Sequence, residues 1–126
     1  MKFHLSTASG HLVTGTGEGW VRIDATEYRS NVVLTPAEVR AGWAAGGFES
    51  LAEPDFEALL EGDPELVLLG TGRTLRFPHP RLTQGLARAG VGLEVMDTAA
   101  ACRTYNILAA EGRRVLAALL IEPAPA

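Results

Sequence analysis

The chain has 126 residues, 47% hydrophobic and 21% charged, which suits one globular unit able to bury a core without disulfides or metals. A net charge of −4 argues against non-specific nucleic-acid binding across the surface, and the single cysteine, Cys102, excludes an intrachain disulfide. No apolar run approaches the roughly 20 residues that cross a bilayer, and Met1-Lys2-Phe3-His4-Leu5 leads into no apolar signal core, so a cytoplasmic location is expected.

In chain order, Gly15-Thr16-Gly17-Glu18-Gly19 reads as a flexible lead-in, and Trp20-Val21-Arg22-Ile23 as a strand of alternating polarity. A turn at Asp24-Ala25-Thr26 precedes the apolar run Val32-Val33-Leu34. Thr35-Pro36-Ala37-Glu38 has the signature of a helix start, with Thr as cap, Pro in the first position and Glu three after the cap. Gly42, Gly46 and Gly47 would keep that helix short. Ser50-Leu51-Ala52-Glu53 is a second capping candidate, followed by Phe56, Leu59 and Leu60 on one helical face and by the stop Gly62-Asp63-Pro64.

Leu66-Val67-Leu68-Leu69 reads as a buried strand that runs into Gly70-Thr71-Gly72. Pro78-His79-Pro80 then restarts the chain as a helix with Leu82, Leu86 and Ala89 on one side and Gly90 as its end. A strand over residues 91–96 leads into Asp97-Thr98, the cap of a helix whose inward face carries Ala101, Tyr105, Leu108 and Ala109 and whose stop is Gly112. Residues 115–121 form the last strand. The boundaries expected are a variable lead-in over 1–16, a single α/β domain over 17–121 and a frayed tail over 122–126. Alternation of strand and helix after Glu65 predicts parallel neighbours, with the earlier β segments at an edge or in a small second layer.

The two strand-to-turn junctions are the most informative pattern. In an open α/β sheet such turns meet at the carboxyl edge, where ligands bind. Gly70-Thr71-Gly72 fails the dinucleotide test, because position 75 is Leu75 and the Pro78-His79-Pro80 break postpones the helix. Neither a P-loop nor a metal-ligand spacing of His and Cys occurs, so no cofactor or metal is predicted. Asp97-Thr98 has a sufficient job as a helix cap, to which an anion-holding role could be added. Cys102 beside Arg103 reads as a small buried residue, or as a reactive thiol if His79 were its base. Asn106 is an unusual interior helix residue, suited either to a structural bond with a neighbouring loop or to a pocket wall.

Charge is segregated along the chain. Seven acids and no base lie between residues 49 and 65, whereas Arg73, Arg76, Arg81 and Arg88 lie between 67 and 93 with no acid. The simpler reading is two solvated surfaces of opposite sign. The sharper one is a basic rim around the glycine turn, suited to an anion or an acidic partner.

Taken together, Tyr28-Arg29-Ser30-Asn31-Val32-Val33-Leu34, Leu68-Leu69-Gly70-Thr71-Gly72, Gly92-Leu93-Glu94-Val95-Met96-Asp97-Thr98 and Ala101-Cys102-Arg103-Thr104-Tyr105-Asn106-Ile107-Leu108 resemble one family. It is the small Mth938-like domain family of unknown function, of DUF498 type, which includes the mitochondrial complex I assembly factor 3 and an adipogenesis-associated protein. The resemblance covers roughly residues 17–121. It implies a three-layer α/β fold: a mixed central sheet of about five strands, one antiparallel to the rest, with helices on both sides and an extra N-terminal β segment. For the mitochondrial relatives it implies a role in assembling respiratory complex I through protein–protein contacts, and it implies no established enzymatic activity. Carried onto this chain, it marks Ser30, Asn31, Gly70, Thr71, Gly72, Asp97, Thr98, Thr104, Tyr105 and Asn106 as a candidate shared pocket, to which Arg73 is added for an anionic ligand.

Two functions are therefore expected to compete. One is a non-catalytic binding or assembly protein, with respiratory-complex subunits or assembly factors as partners, no nucleic acid and no membrane span. The other is a small-molecule (anion) binding protein, or an uncharacterised enzyme, using a pocket at the carboxyl edge of the sheet.

Overall fold

The computed structural model describes residues 10–124. The expectations for residues 1–9 and for Pro125 and Ala126 lie outside the described residues. The chain opens as an antiparallel meander of β1 (Val13–Gly17), β2 (Trp20–Ile23) and β3 (Thr26–Tyr28). Gly15-Thr16-Gly17 is thus a paired strand rather than a flexible lead-in: Gly17 faces Trp20 across the two-residue loop Glu18-Gly19. Glycine weakens a strand, but a short loop with glycine is the commonest hairpin closure, and here the hairpin prevails.

β4 (Val32–Leu34) and β5 (Val39–Ala41) form a second hairpin where a helix start was expected. The local bonding of a cap is nonetheless present. Thr35 Oγ1 accepts from the backbone N–H of Ala37 at 3.2 Å and of Glu38 at 3.0 Å. What differs is that Thr35 N–H donates to the Glu38 carbonyl at 2.9 Å, closing a turn in which Pro36 supplies the fixed φ. Thr and Pro serve a tight turn as well as a helix, and pairing of Leu34 with Val39 decides between them.

The large sheet has the order β5-β4-β8-β6-β7, with β6 (Leu66–Gly70), β7 (Gly92–Met96) and β8 (Val115–Leu119) parallel. β4 is antiparallel to both of its neighbours, so a single strand runs against the other four. β8 lies in the middle and is buried along its whole length, as a strand covered on both faces must be. One face packs Leu68, Ala117 and Leu119 against the meander and the long helix α3 (Thr98–Ala110), through Ala101, Cys102 and Tyr105. The other packs Val67, Leu69, Leu116 and Ala118 under Phe56 of α1 (Glu53–Glu57) and Leu86 of α2 (Gln84–Arg88).

The short helices begin later than their sequence signals. Ala52, not Ser50, precedes α1, and the Asp55 carboxylate accepts from its backbone N–H at 2.8 Å. His79 caps the 3₁₀ turn Pro80–Thr83 that leads into α2, its Nδ1 accepting from Arg81 N–H at 3.1 Å. Ala89 is exposed rather than inward. α3 follows its sequence signal: Asp97 caps it by accepting from Ala100 N–H at 2.9 Å, and Gly112 follows its last turn at φ 81°. Among the described residues no helix is long and apolar enough to cross a membrane.

Candidate functional site

Parallel neighbours β6 and β7 end side by side, which brings their two turns into direct contact. Thr71 N–H donates to the Met96 carbonyl at 2.9 Å, prolonging the ladder by one rung. Thr98 N–H donates to the Gly72 carbonyl at 2.9 Å, and Gly72 N–H donates to Thr98 Oγ1 at 2.8 Å. The Thr98 hydroxyl donates in turn to the Leu120 carbonyl at 2.8 Å, so one buried side chain ties together the exits of β6, β7 and β8. Gly70 permits this approach, since a Cβ there would stand 2.9 Å from Thr98 Cα. Gly72 adopts φ 98°, and a Cβ there would fall 2.6 Å from the Glu122 carboxyl carbon.

Glu122 is part of this junction rather than of a frayed tail. Its Oε1 accepts from Arg73 N–H at 3.0 Å and its Oε2 from Arg76 Nη2 at 2.7 Å. Arg73 also reaches the Pro123 carbonyl at 2.9 Å. These bonds and the two nearby guanidinium charges hold the Glu122 carboxyl below its ordinary range. The Arg76 guanidinium lies 4.5 Å over the Phe48 ring and donates to the Thr71 carbonyl at 2.7 Å. Half of the basic rim is thus committed within the fold.

Two cavities flank the segment Leu120-Ile121-Glu122. The first, about 390 Å³, opens between the β1–β2 hairpin and the start of α3, and Trp20, Gly72, Arg73, Asp97 and Thr98 line it. The second, about 370 Å³, lies on the other side, with Ser30, Asn31, Trp43, Phe48 and Arg76 in its wall. The candidate residues therefore divide. Four of them share the first cavity and Ser30 and Asn31 belong to the second, while Gly70 and the fully buried Thr71 lie beneath the turn. Asn31 is used structurally, since its amide nitrogen donates to the Ala44 carbonyl at 2.8 Å and its Oδ1 accepts from Ile121 N–H at 2.7 Å.

Thr104, Tyr105 and Asn106 line neither cavity. They sit farther along α3, where Tyr105 donates its hydroxyl hydrogen to the His11 carbonyl at 2.8 Å. Asn106 grips Val13 twice, accepting from its N–H at 2.9 Å and donating to its carbonyl at 2.8 Å. The structural bond to a neighbouring segment is thus present, and Asn106 also stands in the wall of a separate cavity of about 220 Å³, beside Thr14 and Arg103. Cys102 is 2% exposed and burial pushes its thiol up to about 12, so it is a core residue. Among the described residues no group of three or more His, Cys, Asp or Glu is placed to hold a metal.

Sequence reasoning missed Glu122, because its neighbours Pro123 and Pro125 read as a terminus. It also passed over Trp20 and Trp43, the only two tryptophans in the chain, each of which stands in the wall of one cavity. Large aromatic residues in otherwise glycine-rich segments were the available signal.

The model of the protein family of unknown function DUF498/DUF598 matches residues 13–120. The mouse NADH dehydrogenase [ubiquinone] 1 alpha subcomplex assembly factor 3 is 38% identical over 93 residues, covering 72% of this chain and 50% of that protein. The chain thus spans about half the length of that relative. A crystal structure of a Bordetella parapertussis protein superposes with a TM-score of 0.83 at 35% identity, over 89% of this chain and 96% of the other. A Bordetella pertussis protein described as a Mth938-like domain gives a TM-score of 0.74 at 30% identity, over 98% and 94% of the two chains.

Proposed function

This chain belongs to the DUF498/DUF598 family, and we propose that it is a non-catalytic cytoplasmic protein that assists the assembly of respiratory complex I through protein–protein contacts. The observation that carries this reading is the 38% identity to the mouse assembly factor. The geometry supports it in two ways. The N–H groups of Gly72 and Thr98, which could have cradled a reacting anion, are bonded to each other's residues within the fold. The loop that leaves this junction carries Leu75 and Phe77, 51% and 71% exposed, next to Arg73. Exposed large apolar side chains beside a cation are the composition of a contact surface.

Tagged protein isolated from its own cells is expected to bring down complex I subunits, and Phe77→Ser to reduce that recovery without unfolding the chain. Equal recovery with Phe77→Ser would show that this loop is not the contact surface. Recovery of no complex I subunit by the wild type would contradict the proposed assembly role.

A second reading rests on the cavity lined by Trp20, Arg73 and Asp97, which has the size of a small-molecule site. A thermal-shift screen of anionic metabolites tests it. Ala99→Trp, at an exposed position in the cavity wall, is the informative variant, because Gly72 and Thr98 substitutions disturb the fold itself. A shift that Ala99→Trp abolishes supports the site, and absence of any shift in the wild type refutes it.

A further inference from the structure

We propose that the open edge of β7 binds an extended segment of a partner protein as an added strand of the large sheet, and that this segment carries a basic residue flanked by apolar ones. β7 is the outer strand beside β6, and its hydrogen-bonding phase is fixed at both ends. Gly92 N–H donates to the Glu65 carbonyl at 3.0 Å, and the Met96 carbonyl accepts from Thr71 N–H at 2.9 Å. Alternate residues of a strand bond to the same neighbour, so Gly92, Glu94 and Met96 face β6. The N–H and C=O groups of Leu93 and Val95 therefore point away from the sheet, and among the described residues nothing bonds to them. A row of unpaired backbone groups on a strand without proline is a template for another strand.

The other edge of the sheet is guarded. β5 is only three residues long, and its Arg40 is held by Glu38 at 3.2 Å and by Glu61 at 3.3 Å. Short, charged edge strands resist pairing. β7 has five residues, of which Glu94 alone is charged.

The side chains of β7 say what fits. Leu93 and Val95 are half-buried against the cluster that holds Phe56 and Leu86, so apolar residues set opposite them would extend that layer. Glu94 lies on the other face, level with Leu68, where it is exposed and forms no ion pair among the described residues. Residues directly opposite on paired strands share a face at about 5 Å, so a lysine or arginine opposite Glu94 completes the match. The same geometry disfavours a second copy of this chain. Antiparallel self-pairing through Leu93 and Val95 centres on Glu94 and would set two carboxylates against each other.

The capped peptide Thr-Val-Lys-Val-Thr is a suitable probe, compared with the same peptide carrying glutamate in place of lysine. The readout is ¹⁵N-resolved NMR of the full chain, which needs no complex I subunit, so failure here and failure of the assembly role are separate results. Saturable shifts are expected at the Leu93 and Val95 amides at millimolar peptide, with the glutamate peptide about threefold or more weaker. Glu94→Lys, at an exposed position, should reverse that preference. Val95→Pro removes an outward N–H while leaving the ladder to β6 whole, and should weaken both peptides. Three results would overturn the proposal: no saturable shift with the lysine peptide, equal affinity for the two peptides with no reversal in Glu94→Lys, or concentration-dependent shifts at Leu93 and Val95 without peptide, which would make a second copy the occupant.

Discussion

Gly72 and Thr98 hold each other by a reciprocal pair of hydrogen bonds, from Gly72 N–H to Thr98 Oγ1 at 2.8 Å and from Thr98 N–H to the Gly72 carbonyl at 2.9 Å. They are 26 residues apart in sequence, and each ends the turn that follows its own strand. The pair converts two adjacent strand exits into one clasp, which the Thr98 hydroxyl extends to Leu120.

Thr98→Val keeps the side-chain shape but leaves Gly72 N–H and the Leu120 carbonyl unpaired in a buried place. The expected loss is about 2–4 kcal/mol, read as a lower urea midpoint, whereas Thr98→Ser should cost about 1 kcal/mol. Equal losses for the two variants would show that the hydroxyl contributes nothing.

Gly72→Ala combines a strained φ of 98° with a clash against Glu122. We expect a cost of about 2 kcal/mol or more. Gly90→Ala is the control: its φ of 75° is also positive, but a Cβ there meets nothing within 4 Å. It should cost about 1 kcal/mol, and the difference measures how closely Glu122 approaches the turn.

Some of this was legible in the sequence and some was not. The strands at Leu66 and Val115, the Asp97 cap and the stop at Gly112 are each specified by local pattern and present in the structure, although the last strand ends at Leu119 rather than at Ile121. Thr35-Pro36 was ambiguous because a turn and a helix cap use the same bonds, and only the pairing of Leu34 with Val39 selects the turn. Strand β1 was hidden because its edge is held from 93 residues away by Asn106. The division of the candidate residues between two cavities was equally unreadable, since it depends on where Leu120-Ile121-Glu122 passes between them.

The acid limb of stability should carry a contribution from Glu122. Its folded pKa lies below the ordinary value, so its stabilisation is present above the unfolded pKa of 4.5 and is lost as pH falls through the folded one. Urea melts should therefore show Glu122→Gln clearly less stable than wild type at neutral pH, with the gap closing in acid. A gap independent of pH would mean that the carboxylate charge is not involved.

Cys102 should be inert to iodoacetamide in the folded protein at mildly alkaline pH, since burial raises its thiol to about 12. Labelling should appear only as urea unfolds the chain. Rapid labelling of the native state would contradict its place in the core beside Ala101 and Tyr105.

Phe77, at 71% exposure, contributes little to the core, and Phe77→Ser should change stability by less than about 0.5 kcal/mol. It is thus suited to separating contact from folding in the cell.

Native-gel quantification of assembled complex I, in cells deleted for the gene of this chain, tests the proposed role in complex I assembly. Loss of the assembled complex, restored by the wild-type chain and poorly restored by Phe77→Ser, is the predicted result. Normal levels of complex I in the deletion strain would contradict it.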